Sequence, residues 1–286
     1  MRCICCLSDR IINRPLGFVE KRCCLDCGLI FDIKGEGEDV RKSDIRYFEN
    51  VDPHLEVARS KKRFYSRALN DLSLKMRGEK SVLDVGCGFG YFLELASQKG
   101  WQVSGIEIVN RAVRDAKAKV GNRNIFHGTL KEARYPDDSF DAITLWDLLF
   151  HVQDPYEELR ECHRVLKRKG VIGIRVRNVL FEKMIYRAYS IIKKMVPNLG
   201  LKEPYVFHRY CYSANSMFQL LKRVGFTKIE ITNSPLTKGN PYRYTEMKML
   251  VEATKGFFDL TSRIAFLISG GKWIIGPSLL VWAQKP

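Results

Sequence analysis

The chain has 286 residues, of which 45% are hydrophobic and 28% are charged, which suits one medium-sized domain with an appendage. Its formal net charge of +16 suits nucleic acid, anionic lipid or phosphorylated small molecules as partners, although a solvated basic surface has the same composition. No run of 18 apolar residues indicates a transmembrane helix, and the N-terminus has no apolar signal-peptide core. The sequence therefore predicts a cytoplasmic protein.

The N-terminal segment is rich in cysteine, with six of the nine cysteines before residue 28. Two pairs have the C-x-x-C spacing that presents two thiolates to one tetrahedral ion: Cys3 with Cys6, and Cys24 with Cys27. Because cytoplasmic thiols stay reduced, we expect a structural Zn²⁺ on these four residues, in a small ribbon over residues 1–34. Cys5 and Cys23 adjoin the pairs and leave a register swap open, and a reduced cluster without metal is the alternative.

A polar stretch and a helix follow the ribbon. Residues 35–52 contain glycine and predict a linker in which Tyr47 and Phe48 anchor onto the next domain. An apolar stripe of helical period then predicts a helix over about residues 55–76. For Tyr47, Phe48 and Tyr65 we expect packing, with a place in a ligand cleft as the alternative.

From residue 79 to the C-terminus, short apolar runs alternate with amphipathic stretches. This alternation predicts a parallel sheet joined by right-handed helical crossovers. The segments predicted in this way are 81–85, 91–99, 103–107, 111–120, 125–127, 142–146, 155–166 and 171–176. A helix capped by Ser213, a strand over 226–232 and a final antiparallel strand over 277–283 complete the predicted domain.

A glycine-rich turn follows the first strand of this domain. Gly86, Gly88 and Gly90 stand at alternate positions, and Asp84 comes two residues before the first of them. Glycine lets a strand-to-helix turn bend sharply and lets the backbone approach a ligand closely. The next strand ends on Glu107, at the position where a carboxylate accepts hydrogen bonds from ribose hydroxyls in nucleotide sites.

Three features together resemble class I S-adenosylmethionine-dependent methyltransferases: the Asp-x-Gly-x-Gly-x-Gly stretch, the acid after the second strand, and Pro-Asp-Asp-Ser-Phe-Asp-Ala-Ile-Thr-Leu-Trp-Asp-Leu-Leu. The resemblance covers about residues 81–178. It implies an α/β fold with a Rossmann-like, seven-stranded, mostly parallel sheet of strand order 3-2-1-4-5-7-6. It also implies that residues 35–78 form a linker and a helix over the cofactor cleft, and that residues 79–286 form the methyltransferase domain.

S-adenosylmethionine is the cofactor that this resemblance implies. The residues expected to border it are Asp84, Gly86, Cys87, Gly88, Gly90, Glu107, Ile108, Thr129, Leu130 and Trp146. Thr129 and Leu130 stand where related enzymes contact the adenine ring. This sequence has no aspartate at that point, so we expect backbone groups to make the adenine contact.

The candidates for catalysis follow the fourth strand of the domain. Methyl transfer is an in-line displacement, and an aliphatic hydroxyl acceptor is a poor nucleophile that benefits from a general base. His151 and His208 are the candidate bases, with Asp147 as a partner, although a lone histidine is most often packed or on the surface. Phe150 stands where the family's Leu-Glu-His segment has its acid, which argues against any role that needs that glutamate.

A second resemblance concerns the Arg-Cys-Cys-Leu-Asp-Cys-Gly-Leu-Ile-Phe-Asp sequence of residues 22–32. It is similar to the zinc-binding segment ahead of the methyltransferase domain in bacterial and archaeal enzymes associated with sugar-nucleotide or polysaccharide synthesis. The resemblance implies O-methylation of a small-molecule or glycan acceptor, either nucleotide-linked or lipid-linked. An RNA methyltransferase and a non-catalytic scaffold are the alternatives, but no Asn/Asp-Pro-Pro-Tyr/Phe motif supports a nucleic-acid partner.

Two insertions, over about residues 179–212 and 234–277, carry amphipathic segments. Apolar side chains of residues 181–196 lie opposite lysines and arginines, and the apolar stretch of residues 255–269 is too short to span a bilayer. Each segment predicts either a lid over the active site or a helix on an anionic membrane. The second alternative would place the protein peripherally at the inner membrane face.

Overall fold

The structure, a computed structural model, describes residues 1–16, 19–32, 54–76, 80–196, 208–235 and 248–286. The predicted linker of residues 35–52, with its anchors Tyr47 and Phe48, lies outside the described residues.

The described chain contains a small sheet, a large sheet and the helices around them. The strands in chain order are β1 (Ile11–Leu16), β2 (Val19–Cys24), β3 (Ile30–Asp32), β4 (Ser81–Val85), β5 (Gln102–Glu107), β6 (Ile125–His127), β7 (Phe140–Trp146), β8 (Leu166–Arg177), β9 (Tyr210–Cys211), β10 (Thr227–Asn233) and β11 (Ser278–Gln284). The helices are α1 (His54–Lys75), α2 (Tyr91–Gln98), α3 (Asn110–Val120), α4 (Leu130–Ala133), α5 (Pro155–Val165), α6 (Val179–Met195), α7 (Ala214–Val224) and α8 (Lys248–Ile268), with a 3₁₀ turn at Asn122–Asn124.

The large sheet has seven strands in the order β6-β5-β4-β7-β8-β11-β10. Strand β11 runs antiparallel to both β8 and β10, and the remaining neighbours are parallel. Numbered within the domain, this order is the predicted 3-2-1-4-5-7-6, so the predicted fold class is confirmed. Strands such as β4 are buried on both faces, as expected for parallel strands covered by helices on two sides.

Two apolar layers enclose the large sheet. One contains side chains of α1, α2 and α3, including Phe64, Phe92 and Val113, against Trp146 and Trp282 of the sheet. The other contains side chains of α5 and α7 against β7, β8 and β11. The helix predicted over residues 55–76 is therefore present, and it packs on the same face of the sheet as the helix that follows the glycine turn.

The small sheet joins the ribbon to the rest of the chain. Its order is β1-β2-β3-β9, so three strands come from the N-terminal ribbon and the fourth comes from residues 210–211. Strand β9 is antiparallel to β3, with Ile30 opposite Cys211 and Phe31 opposite Tyr210. From the sequence, these two residues were expected within an insertion and no strand was predicted there, because a strand of two residues has no hydrophobic period to detect.

Helices α6 and α8 are the two predicted amphipathic segments. Asn178 caps α6 by accepting a hydrogen bond from the Leu180 N–H at 3.1 Å. The rings of Phe181 and Phe258 meet edge to face at 5.2 Å, which packs α6 against α8. None of the helices within the described ranges combines the length and the apolarity needed to cross a membrane.

Candidate active site

The turn between β4 and α2 is built on three glycines with positive φ. These angles are +70° at Gly86, +53° at Gly88 and +74° at Gly90. A Cβ atom on Gly86 would lie 2.8 Å from Leu148 Cδ1, and one on Gly90 would lie 2.9 Å from Ala116 Cα. No heavy atom lies within 4 Å of a Cβ built on Gly88. Packing therefore requires glycine at two of the positions, whereas the third borders open space that a ligand can approach.

Glu107 fastens this turn to the end of β5. Its Oε2 accepts a hydrogen bond from the Gly88 N–H at 2.8 Å, and its Oε1 accepts from the N–H groups of Ile108 at 2.8 Å and Val109 at 2.9 Å. A carboxylate has about four lone-pair sites, so these bonds leave acceptor capacity for ribose hydroxyls. Glu107 thus shapes the turn, and its burial raises the pKa of its carboxyl group.

Asp84 lies beneath the turn and is only 2% exposed. Its Oδ1 accepts a hydrogen bond from the Thr144 hydroxyl at 2.7 Å, which links β4 to β7. Burial raises the pKa of Asp84 to about 7, although the Thr144 hydrogen bond and the Lys61 charge act in the opposite direction. The side chain therefore connects two central strands directly under the glycine turn.

The other predicted cofactor residues divide into two groups. Cys87, Leu130 and Trp146 have side chains in the apolar core, each less than 9% exposed. The Trp146 ring meets the rings of Phe64, Phe92 and Trp282 at 5.0, 5.5 and 6.1 Å. For Cys87, Leu130 and Trp146 the prediction of a ligand contact therefore falls on the backbone, because their side chains are buried in the core.

Ile108 and Thr129 form the second group and lie at the surface end of β5 and the start of α4. Ile108 is 37% exposed, which leaves an apolar face beside Glu107. Thr129 forms a capping box with Glu132, because its side chain accepts from the Glu132 N–H and the Glu132 carboxylate accepts from the Thr129 N–H. The capping box fixes the backbone around Thr129 and Leu130.

Asp147, at the end of β7, lies between two cations. Its Oδ2 accepts from Lys61 Nζ at 2.8 Å and from Arg175 Nη1 at 2.9 Å. Burial alone would raise its pKa, but the charges of Arg175 and Lys61 hold the pKa of Asp147 below its usual range. Asp147 is therefore an anion held by an ion-pair cluster, and it is poorly suited to accept a proton.

Lys61 and Arg175 were not among the site residues expected from the sequence. Arg175 is 6% exposed within the apolar strand β8, and its Nε donates to Ser234 Oγ at 3.0 Å. A charged residue in an otherwise buried strand was the available signal, because a buried guanidinium requires ionic or hydrogen-bond partners. Lys61 carried no comparable signal, since it lies on a helix with many other basic residues.

The two predicted base candidates lie together around Phe150. The Phe150 ring is 4.4 Å from the His151 ring and 4.6 Å from the His208 ring, and the two imidazoles are 5.5 Å apart. Burial is the main cause that lowers the pKa of His151 to about 4 and that of His208 to about 2, and the Arg177 charge lowers both further. Both imidazoles are therefore neutral at pH 7.

The four predicted metal ligands come together in the ribbon. The Sγ atoms of Cys3, Cys6, Cys24 and Cys27 all lie within 4.8 Å of one another, a distance that suits four ligands of one tetrahedral ion. Cys5 and Cys23 are buried but do not belong to this set, so the structure selects one register of the cysteine pairs. Hydrogen bonding to Cys3 and burial raise the pKa of the Cys27 thiol. A bound cation would stabilise the thiolate and so counteract this rise in pKa.

The cysteine turn rests on the N-terminus of α7. Ser213 Oγ donates to the Cys27 carbonyl at 2.6 Å, and Asn215 Nδ2 donates to the Asp26 carbonyl at 3.0 Å. Cys3, Cys5, Cys24 and Cys27 share an apolar core with Tyr212 and Met217. The ribbon is thus packed directly on the methyltransferase-like domain.

The sequence model of a family described as a methyltransferase domain matches residues 57–231. The chain belongs to this methyltransferase family. The matched range contains the glycine turn, Glu107, Asp147 and both candidate histidines. It excludes the ribbon strands β1–β3 and the final strand β11.

Curated relatives of this methyltransferase-family chain include enzymes named for quinone metabolism. A ubiquinone biosynthesis O-methyltransferase of Nitrosospira multiformis is 34% identical over 96 residues, which are 32% of this chain and 40% of the relative. A demethylmenaquinone methyltransferase of Thermotoga maritima is 31% identical over 157 residues, which are 53% of this chain and 67% of the relative. The chain spans about two fifths of the length of the first curated relatives it matches.

Solved structures share the fold of this methyltransferase-family chain at low sequence identity. A methyltransferase from Thermotoga maritima has 18% identity and a TM-score of 0.54, and the match covers 86% of this chain and all of the other. One from Archaeoglobus fulgidus has 20% identity and a TM-score of 0.51, covering 79% of this chain and 95% of the other. These matches support the fold assignment.

We predict that Gly88→Val weakens binding of S-adenosylmethionine at least about tenfold, because the added side chain would occupy the open space over the turn. Its positive φ adds about 1 to 3 kcal/mol of strain, so thermal unfolding is measured alongside the dissociation constant from calorimetry. Gly100→Val is the matched control, because Gly100 also has positive φ and no heavy atom within 4 Å of a Cβ built on it, but it follows α2. Equal weakening by both variants would contradict a ligand site at Gly88.

Proposed function

We propose that the chain is an S-adenosylmethionine-dependent methyltransferase that methylates a ring hydroxyl of a hydrophobic, quinol-like acceptor. The observation that carries the proposal is the open glycine turn at Gly88, held by Glu107. His151 and His208 lie near Asp147, the residue directly after β7, and they supply neutral proton acceptors for the second substrate.

The cofactor half of the proposal uses groups at the ends of β4 and β5. Gly88 admits the cofactor close to the backbone, Glu107 has acceptor sites left for ribose hydroxyls, and the exposed side of Ile108 suits one face of the adenine. Backbone groups at Thr129 and Leu130 are the proposed partners of the adenine edge. When bound there, the cofactor would supply an electrophilic methyl group on a sulfonium, with the neutral thioether as the leaving group.

The acceptor half depends on the chemistry of the histidines. In the proposed step, the acceptor oxygen forms a bond to the methyl carbon and its proton passes to His151 or His208. An imidazole with a lowered pKa is a weak base, and a phenolic hydroxyl, with a pKa of about 10, gives up its proton more readily than a sugar hydroxyl. Asp147 is held by Lys61 and Arg175, so we assign it an electrostatic and positioning role.

The acceptor proposed here differs from the glycan expected from the sequence. The names of the relatives refer to ubiquinone and demethylmenaquinone, and they lend no support to polysaccharide biosynthesis. The aromatic and imidazole rings at Phe150, His151 and His208 also suit a flat ring as substrate. A sugar acceptor is retained as an outcome of the experiment.

The test is transfer of a labelled methyl group from S-adenosylmethionine to lipid, sugar-nucleotide, glycan and RNA fractions and to a dihydroxylated ring with a short isoprenoid tail. We expect label on the ring compound or in the lipid fraction.

We also expect His151→Gln combined with His208→Gln to slow turnover at least about a hundredfold, since general-base catalysis contributes this much. His163→Gln is the control, because His163 lies on α5 and its imidazole packs against Phe226 rather than against Phe150. Label in the glycan or RNA fraction alone would overturn the acceptor class.

We also propose that the four clustered cysteines hold one structural Zn²⁺. Four thiolates suit this ion, and Gly28, with a φ of +77°, allows the tight turn after Cys27. The ion would offset the mutual repulsion of the thiolates and fix the ribbon against Ser213 and α7.

For the metal, we predict about one zinc per purified chain by elemental analysis. Cys24→Ala is expected to lose the ion and to lower the unfolding temperature, because three ligands bind zinc more weakly than four. Cys23→Ala is the matched neighbour and is expected to retain it. A folded, metal-free ribbon in the unmodified protein would contradict the assignment.

A third element of the proposal is peripheral contact with an anionic membrane, through which a hydrophobic acceptor would be reached. Helices α6 and α8 together expose two apolar stripes: Leu180, Met184, Ile191, Ile192 and Met195 on α6, and Phe257, Leu260, Ile264, Leu267 and Ile268 on α8. Such a large exposed apolar surface is unusual for a water-facing protein. Lys193, Lys194 and Arg187 lie on α6 beside the stripe and complement anionic headgroups.

We predict that Ile191→Glu combined with Leu267→Glu reduces binding to phosphatidylglycerol-containing vesicles about tenfold in a flotation assay. Leu74→Glu is the control, since Leu74 is 86% exposed on α1. Equal binding to neutral and anionic vesicles would contradict the proposed attraction between the α6 cations and anionic headgroups. A stable dimer that buries the stripes would instead identify a second copy of the chain as their partner.

A further inference from the structure

The ribbon contributes directly to the acceptor side of the proposed active site. We infer that Lys21 of β2 is a positioning residue that holds His208, so that the state of the ribbon controls the geometry of the histidine pair. The inference rests on the proposed function, because it gives His208 a role in acceptor chemistry. Its structural part can be tested without any acceptor.

Lys21 is 3% exposed, which is unusual for a lysine. Its ammonium group forms an ion pair with Asp32 of β3 and donates a hydrogen bond to the His208 carbonyl oxygen at 3.1 Å. Cys211 Sγ contacts the same carbonyl oxygen at 3.3 Å. Burying an ammonium group costs free energy unless it is well paired, so this arrangement holds the His208 backbone at a defined place.

The pairing of β9 with β3 also restrains the residues that directly follow His208. Arg209 accepts a hydrogen bond through its carbonyl from the Asp32 N–H at 3.2 Å, directly before Tyr210 and Cys211 enter the small sheet. His208 therefore lies directly next to the small sheet in the sequence, and its side chain belongs to the histidine pair. Any shift of β3 would move the His208 backbone with it.

The His208 ring in turn packs on the catalytic side of the large sheet. It lies 4.6 Å from the ring of Phe150 and 5.5 Å from that of His151, both of which follow β7. The ribbon and the β7 end thus each contribute one imidazole to a single pair.

The experiment measures the rate at which diethyl pyrocarbonate modifies each histidine of the full-length, zinc-loaded chain, by peptide mass spectrometry. His208 is 6% exposed and is expected to react slowly, whereas exposed His127 serves as an internal reference. We expect Lys21→Met to raise the rate at His208 about tenfold, as expected from losing one hydrogen bond to a charged group. Lys21→Arg is expected to restore part of the protection.

Arg22→Met is the matched control, because Arg22 is the next residue of β2 and contacts Met1 rather than His208. Zinc content and the dissociation constant of S-adenosylmethionine are measured on every variant, to separate a local change from loss of the ribbon or of the fold. Unchanged His208 protection in Lys21→Met, or equal loss of protection in Arg22→Met, would overturn the inference.

The inference and the proposed function fail in distinguishable ways. Methyl transfer to the ring compound with no change in His208 protection would remove only the role of Lys21. The opposite result is also informative. If His208 reacts faster in Lys21→Met but the unmodified chain methylates none of the fractions, the proposed function is wrong and the contact between Lys21 and His208 still holds. If both hold, Lys21→Met is expected to lower turnover while its affinity for S-adenosylmethionine stays within about twofold of the unmodified chain.

Discussion

The carboxylate of Glu107 is the constraint on which the rest of the cofactor region depends. It accepts main-chain hydrogen bonds from Gly88, Ile108 and Val109, so a single side chain ties the glycine turn to the end of the neighbouring strand. A glycine turn has many accessible conformations, and this tie selects the one that leaves Gly88 facing open space. Charge-assisted hydrogen bonds of this kind are stronger than neutral ones, which suits a loop that must stay in place as ligands exchange.

Electrostatics divides the region beyond β7 into two parts. Lys61 and Arg175 surround the Asp147 carboxylate and lower its pKa, so this part is charged at neutral pH. The histidine pair is kept neutral by burial and by the nearby Arg177 charge. Asp147 therefore provides a fixed negative charge and does not accept a proton. The nearby neutral imidazoles of His151 and His208 are the groups that can accept one.

The sequence predicted the frame of this molecule well because the frame follows from local patterns. Apolar runs, glycine spacing and C-x-x-C pairs each have a short-range signature, and the observed strands and the cysteine cluster agree with them, whereas the strand order was implied by the family resemblance. The contributions of Lys61, Arg175 and Lys21 depend on contacts between distant segments, which no period or spacing reveals. The resemblance also marked Trp146 as a cofactor residue, although its side chain turns into the core, because a motif identifies a backbone position and not a side-chain direction.

The fourth strand of the small sheet has a consequence for the order in which the chain assembles. Strand β9 is synthesised long after β3, and the whole of the sheet from β4 to β8 lies between them in the sequence. Contacts between such distant segments form late, because closing a long loop costs entropy before the contacts compensate for it. The cysteine pairs, by contrast, precede β4 in the sequence, so the proposed ion would have its ligands before β9 is synthesised. A chain that folds during synthesis would therefore carry an early ribbon sheet, stabilised by the proposed ion, in which the β3 edge stays open until β9 pairs with it.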